Sequence, residues 1–232
     1  MRRLHPFRFL LVVVAGLALA SMAGGSPRQA GTGTIAGRVT LTTRVPGAPL
    51  PSNAYPTRSV GPRATATPEM RNVVVYLKDP GFHGPLPAVM AELKQENETF
   101  VPHVLAITRG SSVSFPNADP FFHNVFSLSS AGEFDLGRYP QGQTKGWRFG
   151  KAGLVKVYCH IHSHMSATIM VLDHPYFVIP ELDGAFELKN VPVGQYTIVG
   201  WHERVGERKV SVRVEAGRTT TVELSVPVED AR

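Results

Sequence analysis

The chain has 232 residues, of which 43% are hydrophobic and 18% charged, with one cysteine and a formal net charge of +6. That length accommodates one large domain or two small ones. Three of the 24 basic residues and none of the 18 acidic ones fall in the first 23 positions, so the remainder carries only about +3 without a basic run, which argues against a nucleic-acid partner.

The first segment reads as a secretory signal over 1–23. Arg2, Arg3 and Arg8 precede an apolar run from 9 to 20, and small residues follow at Ala18-Leu19-Ala20 and Ser21-Met22-Ala23. The apolar core is too short to span a bilayer, so export to the periplasm or beyond is expected, with no membrane span after cleavage. No cysteine follows the run to carry a lipid anchor; an uncleaved amphipathic anchor is the competing reading.

Short runs of β-branched and aromatic residues then recur between Gly, Pro and Asn, predicting an all-β protein. Strands are expected at 35–41, 73–77, 104–108, 112–115, 125–128, 155–158 and 168–172. A later set is expected at 185–188, 196–201, 209–214 and 220–226. Val210, Val212 and Val214 alternate with polar residues, as do Val222, Leu224 and Val226, which is the pattern of a sandwich strand with one buried face. A short helix over 87–94 competes with this pattern. Between 44 and 72, prolines at 46, 49, 51, 56, 62 and 68 and few large apolar residues predict a long loop at a domain edge.

The chemistry concentrates in two stretches. One is Tyr158-Cys159-His160-Ile161-His162-Ser163-His164-Met165, and the other runs from Phe115 through Asp119 and Phe122 to His123-Asn124-Val125. An exported chain with a single cysteine uses it as a buried small residue, an intermolecular link or a ligand. A copper that exchanges one electron needs donors tolerable to both oxidation states: soft thiolate and thioether with imidazole. Cys-x-x-His-x-x-Met supplies three such donors from one loop, and His123, after the strand ending at Phe115, stands where a distant loop would supply the fourth. A zinc site built from Cys159, His160, His162 and His164 would wrap the ion poorly and leave His123 unexplained.

These motifs resemble the cupredoxins, and the Cys-x-x-His-x-x-Met loop followed by Thr168-Ile169-Met170-Val171 resembles the amicyanin type. Phe100-x-Pro102 through Gly110, Val113-x-Phe115-x-Asn117 and His123-Asn124-Val125 resemble the first half of the same fold. The resemblance covers about residues 98 to 173. It implies a cupredoxin Greek-key β-sandwich over 90–174 holding one type 1 (blue) copper. His123, Cys159 and His162 would be the equatorial ligands, Met165 the axial one, and Asn124 would hydrogen-bond across the two ligand loops. The position of Met165 selects His162 over His164. Cys159-His160 also resembles a multicopper oxidase motif, but the His-x-His pairs that such a centre requires do not occur outside this segment. Phe121 and Phe122 read either as packing residues or as part of an apolar docking patch.

A second, smaller β-sandwich module is expected over 175–228. Asp183-Gly184-x-Phe186-x-Leu188 and Val191-Pro192-Val193-Gly194-Gln195-Tyr196 resemble the carboxypeptidase regulatory-like (transthyretin-like) sandwich, whose opening strands resemble those within 33–77 here. Two architectures follow: the cupredoxin unit is inserted into a split sandwich, or the strands of 33–77 complete the cupredoxin. Trp201-His202-Glu203 reads as the end of a strand, the alternative being an extension toward the copper site. No acid–base or nucleophile constellation stands apart from the candidate ligands, so the expectation is an electron carrier meeting redox partner proteins at its copper end, not an enzyme. The alternative is a copper-handling protein for storage, delivery or resistance.

Overall fold

The computed structural model describes residues 31–41 and 69–226, and among them the chain is all-β with no α-helix. The signal at 1–23 and the Pro-rich stretch up to residue 68 lie outside the described residues. β1 (Thr32–Leu41) is followed, after a 3-10 turn at Glu69–Asn72, by β2 (Val73–Lys78). Three short strands come next: β3 (Met90–Glu92), β4 (Lys94–Glu96) and β5 (Thr99–Val101). Then follow β6 (Val104–Thr108), β7 (Ser112–Pro116), β8 (His123–Ser129) and β9 (Gly132–Tyr139). β10 (Thr144–Arg148), β11 (Gly153–Tyr158), β12 (Ser166–Leu172) and β13 (Phe177–Val178) lead to the last four strands. Those are β14 (Ala185–Pro192), β15 (Gly194–His202), β16 (Gly206–Val214) and β17 (Thr219–Val226).

The helix considered over 87–94 does not form. β3 pairs in parallel with β7, Ser112 N–H donates to Val89 O, and Leu93 N–H donates to Ser114 O. The backbone pairing offered by β7 takes the segment instead, burying Leu93 and leaving Val89 and Met90 exposed, although Leu86, Val89, Met90 and Leu93 are spaced as on one helix face.

The middle of the chain folds as a sandwich. One sheet has the order β6-β12-β11-β8-β9, and the facing one the order β10-β7-β3. Between them lie Ile107, Val113, Phe115, Val125, Phe149, Val155, Val157 and Ile169, all essentially without solvent exposure. β8 and β11 are antiparallel neighbours, with Tyr158 opposite Phe126. The beginning of β8 and the end of β11 therefore lie at the same end of the sheet. The β11–β12 connection emerges there too, and this convergence positions the site.

The outer strands pair across the length of the chain. β1 runs antiparallel to β14 and parallel to β17, while β2 runs antiparallel to both β13 and β15. The resulting sheets, β14-β1-β17 and β13-β2-β15-β16, enclose Ile35, Val75, Leu77, Leu188, Ile198, Val214 and Leu224. β2 explains its own continuous apolar run. Val73, Val75 and Leu77 face this core, while Val74 and Tyr76 face the other way, onto Val104, Met170 and Leu172 of the middle sandwich. A strand covered on both faces has no reason to alternate with polar residues. β12 is its counterpart, with Ala167, Ile169 and Val171 turned to the middle core and Met170 and Leu172 to the junction.

Polar contacts reinforce the junction. Glu203 accepts from Nε2 of His103 at 2.7 Å and pairs with Lys156, and His103 Nδ1 lies 3.0 Å from Ser166 O. His202 and Arg204 both reach Glu69 at 3.1 Å. His202 and Glu203, expected only to end a strand, together with Arg204 thus join β15 to elements on either side.

Candidate metal centre

Three donor atoms converge at the end of the middle sandwich. Cys159 Sγ lies 3.8 Å from Nδ1 of His123 and 3.8 Å from Nδ1 of His162, and the two Nδ1 atoms are 3.0 Å apart. All three residues are buried, and together they form a group able to hold a metal ion. His123 opens β8, Cys159 directly follows β11, and His162 comes from the loop between β11 and β12. Met165, the fourth residue singled out in the sequence, is buried in the core cluster that also contains Cys159. Its N–H donates to His162 O at 2.9 Å, closing the loop into a tight turn.

The thiol and the imidazoles are prepared by their surroundings. Burial alone would raise the Cys159 pKa, but the His123 ring and the N–H groups of Asn124, His162 and Ile161 hydrogen-bond to the sulfur and bring it below the usual thiol value. Burial likewise would lower the His123 pKa, and the hydrogen bond to Asp119 together with the nearby sulfur raises it. Asp119 Oδ2 lies 2.8 Å from His123 Nε2. That contact puts a proton on Nε2, so that in the neutral ring Nδ1, beside the sulfur, is the nitrogen left to bind a metal.

Asp119 is itself held. It accepts from the backbone N–H of Asn97 at 2.6 Å and of Glu98 at 2.9 Å, and its own N–H donates to Asn117 Oδ1. Burial would raise its carboxyl pKa, but His123 and the two backbone donors outweigh this and lower it. Asn124 ties the start of β8 to the loop after β11, its Oδ1 accepting from His160 N–H at 2.7 Å. Its Nδ2 donates to Asp135 at 3.2 Å.

The remaining residues of the motif divide by exposure. His160 is exposed and stacks on Phe126, with centroids 3.6 Å apart and planes within 4°. His164 turns inward, its Nε2 3.3 Å from Glu98 Oε2. Phe121 lies against both imidazoles, 5.2 Å from His123 and 5.4 Å from His162 between centroids, while Phe122 is exposed. Of the two, Phe121 packs against the imidazoles and Phe122 faces solvent.

Two carboxylates at the site are not among the residues singled out from the sequence. Asp119 lay within the stretch leading to His123, four positions before it, and its spacing alone does not distinguish it from a loop residue. Glu98 lies far from either ligand loop in sequence and carries no motif.

The donor set suits a metal that accepts one sulfur and two imidazole nitrogens in a buried, preformed place. A thiolate with imidazoles favours a soft or borderline ion, copper or zinc, over a hard one that takes oxygen ligands.

No protein-family profile matches the chain, and no curated protein matches it. Among solved structures, the chain is similar to the Cu-containing nitrite reductase of Thermus scotoductus SA-01 at 26% identity. That match covers 40% of this chain and 24% of the reductase, with a TM-score of 0.34, so the chain spans about a quarter of that enzyme. It is similar to a purple cupredoxin from Nitrosopumilus maritimus at 22% identity over 35% of this chain and 99% of that one, with a TM-score of 0.32. Amicyanin from Paracoccus versutus is 20% identical over 42% of this chain and 97% of its own, with a TM-score of 0.34.

Proposed function

We propose that the protein is an exported electron carrier that holds one type 1 copper through His123, Cys159, His162 and Met165. The observation that carries this reading is the buried convergence of Cys159 Sγ with the Nδ1 atoms of His123 and His162. Copper held there supplies one-electron exchange between its two oxidation states. The chain's own residues supply the rest. The lowered pKa of Cys159 favours the thiolate needed for ligation, and Asp119 orients the His123 ring. Asn124 fixes the two loops against each other, so the donors keep their places when the charge on the site changes. Met165 would serve as the weak axial donor that helps set the potential.

A cupredoxin unit over 90–174, inserted into a sandwich made by the strands of 33–77 and 175–228, is the domain division we favour. The pairing of β1 with β14 and β17, and of β2 with β15, supports it. The motifs around Asp183-Gly184 and Val191-Pro192 suggest a carboxypeptidase regulatory-like sandwich for the outer unit. The signal-like segment at 1–23 supports export to the periplasm or beyond. Among the described residues no helix is long and apolar enough to cross a membrane. Redox partner proteins would meet the chain at the copper end, where Phe122 is exposed.

The second reading is a copper-handling protein, and exposed His160 beside the site is the observation that favours it. Repeated reduction with ascorbate and reoxidation of the copper-loaded protein, with dialysis between cycles, separates the two. A carrier retains its copper through every cycle. Progressive loss to the dialysate, slowed or hastened by His160→Ala, would replace the carrier reading with the handling one.

A further inference from the structure

Both ligand imidazoles meet a carboxylate on the side away from the sulfur. For His123 it is Asp119; for His162 it is Glu98. Glu98 is buried, with Oε1 3.8 Å from His162 Nε2 and Oε2 3.3 Å from His164 Nε2. His162 itself is only 1% exposed, so the outer edge of this ring is closed off from solvent.

The way Glu98 is held makes this placement specific. Asn97 and Glu98 form the two-residue turn between β4 and β5, and both have φ of +54°. That is the geometry of a type I′ hairpin turn, whose second position favours glycine. A glutamate there is under backbone strain, and strained residues persist where the surroundings over-determine them and cluster at functional sites. Here Asp119, already bound to His123, accepts from the N–H groups of both turn residues. One carboxylate thus orients the first ligand and also fixes the turn that presents the second carboxylate to the other ligand.

We propose that Glu98 is a positioning residue for the metal centre: it caps the outer edge of His162, with His164 beside it, and its negative charge biases the site toward the more highly charged Cu(II). The inference rests on the copper reading above. A buried anion near a ligand ring stabilises added positive charge at the metal more than a neutral group does, because little solvent screens it. Its cap also denies small external oxidants direct access to the His162 edge.

The test uses the full chain loaded with Cu(II), compared with Glu98→Gln and Glu98→Gly. Gln keeps the shape and removes the charge; Gly removes the carboxylate and relieves the positive φ, so it guards against a variant that fails for folding reasons. Both variants are expected to keep the thiolate-to-copper absorption band. In Glu98→Gln the ratio of Cu(I) to Cu(II) affinity is expected to rise about tenfold, a potential about 59 mV higher for a one-electron couple. Glu98→Gly should show a shift in the same direction and faster oxidation by ferricyanide. Wild-type potentials in both variants would overturn the role of Glu98 while leaving the copper reading standing. A thiolate band missing from the unaltered chain would overturn the copper reading and this inference with it.

Discussion

At Cys159, burial and chemistry pull in opposite directions. The sulfur sits in the apolar core cluster, an environment that favours the neutral thiol, yet three backbone N–H groups and the His123 ring bring its pKa down. An inert core cysteine has no need of such donors. The choice of Cys159, His123 and His162 was legible in the sequence because ligand types at fixed spacing sit next to predicted strand ends. Asp119 and Glu98 were not, because they act through pairings made only when the 97–98 turn meets the loop before β8. Asn124 lies between these cases, visible by its position beside His123 and given content by its 2.7 Å bond to His160 N–H. Removing that acceptor in Asn124→Ala should weaken copper retention roughly 10–100-fold, the usual scale for groups that orient metal ligands. Competition with a copper chelator measures this, and unchanged retention would show that the two loops hold without Asn124.

Among the elements, the expected strands correspond to observed ones wherever β-branched residues run together, as in 104–108. β9 and β10, like the short β3, β4, β5 and β13, are not among the expected strands. β9 (GEFDLGRY) lies at the edge of its sheet with Phe134 and Tyr139 buried, and its polar positions face solvent; β10 (TKGWR) is mostly exposed. Edge strands of this kind are charged to prevent association, which hides their period of two. The Asp183-Gly184 turn was legible and is demanding. Gly184 has φ of +86°, and a Cβ there would come within 2.1 Å of Val39 O. Gly184→Ala should therefore lower the melting temperature, and an unchanged value would mean that β1 can shift to admit the methyl group.

The cluster at the β15–β16 turn gives a pH dependence. Burial alone would raise the Glu203 pKa, but hydrogen bonds from His103 and Lys156 outweigh it and hold it at about 2, against an ordinary value of 4.5. A carboxylate depressed on folding contributes stability that is present above the unfolded pKa and lost as pH falls through the folded one. The stabilisation from Glu203 should be whole above about pH 5 and disappear between there and about pH 2. Glu203→Gln should cost about 1–3 kcal/mol near neutral pH and flatten this part of the stability profile. Denaturant unfolding at a series of pH values checks both; an equal slope in the two proteins would remove Glu203 from the acid response.

Across the whole molecule, the outer strands and the middle sandwich are joined through β2 and β12, each with one face in its own core and one in the junction. The sequence left open whether the first strands complete the middle sandwich or the outer one, since local pattern does not specify long-range pairing. Their backbone partners are β13, β14, β15 and β17, while the side chains of β2 reach both cores. A shared apolar junction should make the two halves unfold together. Met170→Ala, which empties part of it, should destabilise the protein by roughly 2–5 kcal/mol. Calorimetry should still show one transition at a lower temperature. Two separated transitions in the unaltered protein would contradict the coupling.

Whether Cys159 joins the two histidines as a copper ligand is decided by the visible absorption and paramagnetic resonance spectra of the Cu(II)-loaded, dialysed protein, measured beside Cys159→Ser. An intense thiolate-to-copper band and narrow copper hyperfine splitting are expected in the unaltered chain, both absent from the variant. A pale protein with ordinary tetragonal Cu(II) spectra, the same with and without the cysteine, would contradict it.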